Sequence, residues 1–388
     1  MSNRVLVVGG GVIGAASAYF LAARHGVRAT VLERDPTYRH ASSALSASSI
    51  RQQFSTQINI RLSQASLSFY RRLGDELAVD GTRPDIALTE RGYLFLASPA
   101  GLATLRANHA VQRACGVNVS LLEPAALQAR LPWLNVDDVA AGSLGEGGEG
   151  WFDGYSVLQA FRRKAMALGA TFESVAVERI ECGAHGNARA YCAGGRRFEG
   201  DALLIAAGAW SAPLAAQLGF TLPVRARKRD VFVLASPARL PDCPLVIDPG
   251  GVWFRPEGRG FIAGAPPRGD DVDDVPLESI DHGLFEDVIW PALARRVPAF
   301  EALRVTGAWA GYYEYNTFDQ NGIVGRVPGC ASAFIGCGFS GHGIQQAPAV
   351  GQALAELIAL GRFDTLDLAP LAPERIIEQR PLLERNVI

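Results

Sequence analysis

VLVVGGGVIGAASAYFLAARHGVRATVLE, Val5 to Glu33, decides the fold. Arg4 to Val8 reads as a short buried strand, since its four apolar residues include three β-branched valines. Gly9, Gly11 and Gly14 follow in the spacing G-x-G-x-x-G. The next run is helical, with Ala15, Ala18, Leu21 and Ala22 on one face, and Ala29 to Leu32 reads as a second strand closed by Glu33. Gly9 lets the chain turn tightly off the strand, Gly11 leaves room for a pyrophosphate at the backbone, and Gly14 lets helix and strand pack closely. The helix start offers free N–H groups and the positive end of its dipole to the phosphates. Glu33 can accept hydrogen bonds from an adenosine ribose, and an acid there disfavours a 2′-phosphate. The bland alternative is a glycine cluster in a chance turn. The strand before it, the helix after it and the closing acid argue against that. The motif predicts a bound dinucleotide and does not choose between FAD and NAD.

The chain has 388 residues, enough for a large core and two domains. A content of 48% hydrophobic and 20% charged residues is that of a globular protein rather than a disordered one. A net charge of −2 gives no global field for nucleic acid or an anionic membrane. The six cysteines, Cys115, Cys182, Cys192, Cys243, Cys330 and Cys337, include no C-x-x-C pair, so neither a zinc site nor a redox dithiol is signalled. Reduced thiols in a cytoplasmic protein are expected. No secretory h-region precedes the first strand, and no apolar run reaches the length of a membrane span.

Further along, Asp35 to Ser49 is polar and rich in serine, suited to a loop against a polar ligand or to a solvated surface loop. SIRQQFSTQINIRLSQASLSFYRRL, residues 49–73, reads as a long helix, with Ile58, Leu62, Phe69 and Leu73 on one stripe and Arg51 near its start. Residues 82–150 read as an insertion into the nucleotide domain. Ala202 to Ala206 is a buried strand running into AAGAWS (206–211), whose small residues let a ligand or another backbone come close. Pro223 to Tyr315 is mostly strand-like, interrupted by a helix over Glu278 to Arg296, and suggests a mixed or antiparallel sheet forming the substrate wall. Lys228, in the basic run RARKR, reads as lying on a solvated strand edge. A strand at Ala333 to Ile335 then leads into the Gly-rich loop GCGFSGHG (336–343) and a helix over Ile344 to Leu360. A second glycine-lined helix start, far from the first in sequence, suits an extended cofactor such as FAD.

With GGGVIG and Glu33, AAGAWS, and GCGFSGHGIQQAPAVG, the chain resembles the D-amino acid oxidase-like flavoproteins along essentially its whole length. This is the family of glycine oxidase, sarcosine oxidase and dimethylglycine dehydrogenase. SIRQQFS, EGWFDGYSVLQAFRRK and GFSGHGIQQAP look most like its FAD-dependent oxidoreductase-domain proteins, related to a mitochondrial complex I assembly factor. The resemblance implies an α/β architecture: a Rossmann-like FAD-binding domain (residues 1–85, 150–222 and 322–388) with an inserted α+β substrate domain (86–149 and 223–321) on a mixed, largely antiparallel sheet. It implies FAD in an extended pose. Gly9, Gly11, Val12, Ile13, Gly14, Glu33 and Arg34 would hold the ADP half, with Val177 at the adenine. Ser42, Ser43 and Ser48 would follow the diphosphate toward the flavin, and Ala207, Gly208 and Trp210 would line the cofactor. Gly338, Phe339, Gly341, His342, Gly343 and Ile344 would lie at the flavin ring.

Three family positions differ. The cysteine that sarcosine oxidases join to flavin falls near Tyr312, so noncovalent FAD is expected. Their oxygen-activating lysine falls at Ile262, and a carboxylate-binding lysine falls at Gln345, while Arg51 matches the family's substrate-binding arginine. The implied reaction is oxidation of a secondary amine or amino acid by hydride transfer from its α-carbon to flavin N5, giving an imine that hydrolyses. Such chemistry rests on the cofactor and needs little acid–base machinery, in keeping with a sequence that shows no triad, carboxylate pair or metal cluster.

Arg51 is the first candidate for the substrate carboxylate, since its fork binds a carboxylate bidentately; the bland alternative is a surface salt bridge. Arg255, between aromatics in VWFRPEG, is the second, and could instead stack structurally. His342 is a candidate for hydrogen bonding beside the flavin. About half of the strand aromatics Trp253, Phe254, Tyr312, Tyr313 and Tyr315 are expected to face the pocket. The expected partners are a small amine or amino acid and an electron acceptor, either oxygen or a redox partner. The alternative is a flavoprotein assembly or scaffolding factor with structural FAD. An NAD-dependent dehydrogenase is disfavoured by the second Gly-rich helix start.

Overall fold

A computed structural model describes residues 4–183 and 187–386. Two large sheets organise them. The first has six strands in the order Ile323–Arg326, Ala333–Cys337, Ala202–Ile205, Arg4–Val8, Arg28–Glu33, Thr171–Ser174. It is parallel except for Ile323–Arg326, which runs antiparallel to its neighbour. Central strands covered on both faces must be apolar throughout, as Val5–Val8 and Ala202–Ile205 are. Helix Val12–His25 crosses from the first strand to the second and packs against Gly343–Leu360 and Gly154–Ala167. Gly351 permits the first contact, because a Cβ there would lie 2.7 Å from the Ala16 Cβ. Tyr19, Phe20, Phe69 and Phe161 fill the space beside these helices, with Phe69 and Phe161 stacked at 5.4 Å.

The second sheet has eight strands, in the order Arg304–Asn316, Val224–Ala235, Gly260–Gly264, Trp253–Glu257, Leu245–Ile247, Tyr93–Ala97, Ala141–Gly145, Val119–Leu122. Its pairings are antiparallel except where Leu245–Ile247 meets Tyr93–Ala97 in parallel. The pair 224–235 and 304–316 is the longest, running from Val224 opposite Asn316 to Ala235 opposite Arg304 with one register shift between Val233 and Leu234. The mixed, largely antiparallel sheet and the Rossmann-like parallel sheet are those expected from the sequence.

Three local readings are corrected. Residues 49–73 are not one helix: Ser49–Ile50 is a short strand, residues 51–56 are irregular, and the helix runs from Gln57 to Tyr70. Two buried carboxylates hold the irregular part. Glu149 accepts the backbone N–H groups of Gln52 and Gln53, and Glu384 those of Ser55 and Thr56. These donors are thereby satisfied outside a helix. Lys228 is not on a solvated edge, because strand Val224–Ala235 is interior to its sheet; the Lys228 Nζ bonds Asp230 at 2.9 and 3.0 Å. The helix expected over Glu278 to Arg296 begins later, at His282, and runs without a break to Arg296 through a wide π-helical turn at Phe285–Ile289. Pro291 has no N–H to continue an α-helical ladder there.

Candidate active site

A cavity of about 860 Å³ runs between the two sheets. At one end it is walled by backbone. Gly9, Gly11, Val12 and Ile13 line it where the first strand turns into its helix. Gly9 has φ 101°, and a Cβ there would strike the Ala206 carbonyl; Gly11 is open, with Ser43 Oγ nearest at 3.6 Å from its would-be Cβ. Gly14 does not line the cavity. It lies against the Gly9 carbonyl, the close helix–strand approach its position predicts. Glu33 closes this end, accepting Gly10 N at 2.7 Å and Asp35 N at 2.9 Å. Arg34 and Val177 line it beside Glu33, with the Arg34 guanidinium 3.8 Å over the Trp210 ring.

The middle is lined by Ser42, Ser43 and Ser48 on one side and by Ala207, Gly208 and Trp210 on the other. Ser42 Oγ is buried and has no hydrogen-bond partner among the described residues. Gly341, His342, Gly343 and Ile344 line the cavity where the helix Gly343–Leu360 begins, so the positive end of that helix faces it. Gly338 and Phe339 do not line it. Gly338 turns at φ 76° against Val224, and the Phe339 ring packs over Gly322 in the core. A long groove with a glycine-turned helix start at each end and an orphaned hydroxyl between them fits an extended dinucleotide.

The far end is walled by side chains from distant segments. Arg51, Tyr93, Arg229, Trp253, Tyr312, Tyr313 and Gln345 all reach the cavity. Arg51 is 2% exposed. Its guanidinium donates to the carbonyls of Gln53, at 2.6 Å, and Asn386, and lies 4.0 Å over the Phe54 ring. Its backbone N–H donates to Gln345 Oε1 at 2.9 Å, which binds the start of the last helix to this segment. Arg51 forms no ion pair among the described residues, and burial pushes its pKa down. His342 stands edge-on to Phe54 at 5.0 Å. Burial and the nearby Arg51 charge hold its pKa down to about 3, so it is neutral, and its Nε2 is buried without a partner among the described residues.

The other cations differ. Arg229 is paired with both oxygens of Asp271 at 2.8 Å. Arg255 does not line the cavity: its guanidinium donates to Ala47 O at 2.7 Å and to Glu257, and lies 5.3 Å from the Trp151 ring. The pleat separates Trp253 from Phe254, but on the edge strand Arg304–Asn316 the consecutive Tyr312 and Tyr313 both reach the cavity. Trp253, Tyr312 and Tyr313 line the cavity, whereas Phe254 is in the core and Tyr315 sits under Arg227. Tyr93, Arg229, Glu314 and the tail residues Glu384 and Asn386 escaped the sequence reading. For Glu314 a signal was present, a lone carboxylate in the aromatic run YYEYN.

A family profile described as "FAD dependent oxidoreductase", DAO, matches residues 4–357. The chain is 42% identical over 423 residues to FAD-dependent oxidoreductase domain-containing protein 1 of Xenopus laevis, covering 99% of this chain and 84% of that one. It is 28% identical over 378 residues to glycine oxidase of Geobacillus kaustophilus, covering 96% and 97%. Its fold superposes on the crystal structure of L-proline dehydrogenase from P. horikoshii with a TM-score of 0.87 at 26% identity, covering 98% and 99% of the two chains.

Proposed function

The chain belongs to the DAO family of FAD-dependent oxidoreductases, and on that premise we propose that it oxidises a secondary amine or amino acid bearing a carboxylate. FAD, when bound, would supply the acceptor for a hydride from the substrate's α-carbon, and water would hydrolyse the resulting imine. Residues 1–85, 150–222 and 322–388 form the FAD-binding part in this reading, and 86–149 with 223–321 the substrate part. Gly9, Gly11, Glu33, Val177, Ser42 and Trp210 hold the cofactor along the groove, and Tyr312 stands where a covalent cysteine would otherwise be. No cysteine lines the cavity among the described residues, which supports noncovalent FAD.

The observation that carries the reading is Arg51. A buried guanidinium whose hydrogen bonds all go to carbonyls is costly; Glu384 and Glu149 act on it only through space, and a substrate carboxylate would supply the contact ion pair it lacks. Arg229, Lys228 and Arg255 already have carboxylate partners. The neutral His342 presents a free ring nitrogen beside Arg51, suited to hydrogen-bonding an amine or its carboxylate without competing for a proton. Backbone N–H groups at the start of Gly343–Leu360 stabilise negative charge that develops at that end of the cavity. The same buried cation, which has no contact ion pair among the described residues, favours catalysis over a purely structural, scaffolding role for FAD. The six cysteines are free, in keeping with a reducing, cytoplasmic setting, and no helix among the described residues is long and apolar enough to cross a membrane.

An anaerobic absorbance titration tests the proposal. Sarcosine, dimethylglycine, glycine, proline and a panel of D- and L-amino acids are added to the yellow holoprotein. Bleaching of the flavin band by one of them is expected, and readmitted air then distinguishes oxygen from another acceptor. A flavin that dithionite reduces but no compound in the panel bleaches contradicts the proposed substrate class.

A further inference from the structure

Glu314 is a carboxyl on the cavity wall that the amine chemistry above does not use. It lies on strand Arg304–Asn316, and its two oxygens stand between the glycine segments that frame the cofactor groove. Oε1 is 3.2 Å from where a Gly343 Cβ would be, and Oε2 is 3.7 Å from where a Gly208 Cβ would be. Its carboxyl accepts N–H bonds from Gly338 and Phe339. Among the described residues it has no cationic partner, unlike the ion-paired Asp230 and Asp271 of the adjacent strand and loop.

The groups around it are uncharged or turned away. Across the sheet it pairs with Ala226, while Arg225 and Arg227 on either side of Ala226 hold Asp273, with Arg227 also over the Tyr315 ring. Strand Ala333–Cys337 presents the Cys337 thiol, whose pKa burial and Glu314 together push up. The loop before the last helix presents neutral His342, and the turn at Gly208–Trp210 carries the Arg34 guanidinium on the far, indole side. Tyr312 is on the same face of its own strand, with its hydroxyl donating to Val275 O at 2.8 Å.

We propose that Glu314 sets the reduction potential of the bound flavin by taking up a proton when the flavin is reduced. The argument rests on the FAD site and is independent of which amine is oxidised. Reduction brings two electrons, and with them negative charge, into a cavity whose wall carries this carboxyl. Two like charges in a poorly hydrated site repel, and the repulsion is relieved when a proton from solvent forms an O–H bond on the Glu314 carboxylate. Burial has already moved this group most of the way: its pKa is pushed up to about 7 against the pull of its two N–H bonds. The carboxyl is therefore poised to change state near neutrality, ionised in part while the flavin is oxidised and neutral when it is reduced.

The test is redox titration of the holoprotein with dithionite and reference dyes from about pH 6 to about pH 9, for the natural protein and Glu314→Gln. The natural protein is expected to take up one more proton per two electrons over part of that range. Each pH unit then changes the reduction equilibrium a further tenfold, an added slope of about 30 mV for a two-electron couple. In Glu314→Gln that added slope is expected to vanish. Equal slopes in the two proteins overturn the proposal. If Glu314→Gln fails to retain FAD, redox-difference infrared spectra of the natural protein decide. A protonated-carboxyl band that grows on reduction supports the assignment, and no carboxyl change overturns it. Neither readout uses an amine, so failure here is separable from failure of the substrate proposal.

Discussion

The two ends of the cavity are made from different material. At the nucleotide end the wall is backbone: Gly9 turned to φ 101°, Gly11 left bare, and helix N–H groups exposed at Val12 and Ile13. At the substrate end the wall is side chains, and each arrives from a different part of the chain. Arg51 is fixed by Gln53 and Asn386, His342 by the last helix, and Tyr313 by the long strand of the second sheet. A backbone wall tolerates no added atom but accepts most side-chain changes nearby. A side-chain wall can be altered one group at a time. The first end therefore suits an invariant cofactor, and the second lets one scaffold serve different substrates.

This contrast is broken most forcefully at Gly14. A Cβ there would strike the Gly9 carbonyl, so Gly14→Ala should cost more than about 3 kcal/mol and yield colourless apoprotein. Absorbance of the purified variant and thermal melting check both. A yellow, stable Gly14→Ala protein would mean that the nucleotide end is not backbone-limited.

The tail offers the next largest effect. Glu384 accepts from the backbone N–H and hydroxyl of both Ser55 and Thr56 and from Asn59 Nδ2, and so holds the segment carrying Arg51. Glu384→Ala should cost about 2–3 kcal/mol of stability by orphaning buried donors, and raise KM more than it lowers kcat, with FAD content unchanged. Denaturant unfolding and steady-state kinetics read the two parts.

His342 gives a smaller, pH-dependent effect. Its folded pKa of about 3 lies below the ordinary histidine value, so the unfolded chain binds the extra proton between the two. Stability from this group is present above about pH 6.5 and is lost as pH falls toward 3. Glu314, with its pKa raised, contributes in the opposite sense between its unfolded value and about 7, so the two offset each other in the natural protein. The difference between natural protein and His342→Asn isolates the histidine. It should change by about 1–2 kcal/mol between pH 6.5 and pH 5, seen in melts at each pH. The smallest effect belongs to Arg255, which lies off the cavity. Arg255→Gln should change carboxylate binding by less than about 0.5 kcal/mol, measured by flavin-monitored titration.

The same contrast explains what could be read from the amino-acid order. The nucleotide end is written in short-range spacing, because one strand, one turn and one helix make it; Gly9, Gly11 and Glu33 could be placed from thirty consecutive letters. The pleat of a strand likewise predicts that only some of Trp253, Phe254, Tyr312, Tyr313 and Tyr315 face inward, though not which. The substrate end depends on partners hundreds of residues apart. Residues 51–56 have helical periodicity, yet Glu149 and Glu384 hold their N–H groups from 96 and 329 positions away. Arg255 and Lys228 look alike as cations on strands. What separates them from Arg51 is that each already has a carboxylate within reach, which no local pattern announces.

The most direct test of separable ends uses Arg51→Ala holoprotein and one inert carboxylate, pyrrole-2-carboxylate, titrated against the visible flavin spectrum of both proteins. The account predicts full FAD content in the variant, with carboxylate affinity weakened by about 2–5 kcal/mol. A variant that binds the carboxylate as tightly as the natural protein, or that loses FAD together with the carboxylate, would contradict it.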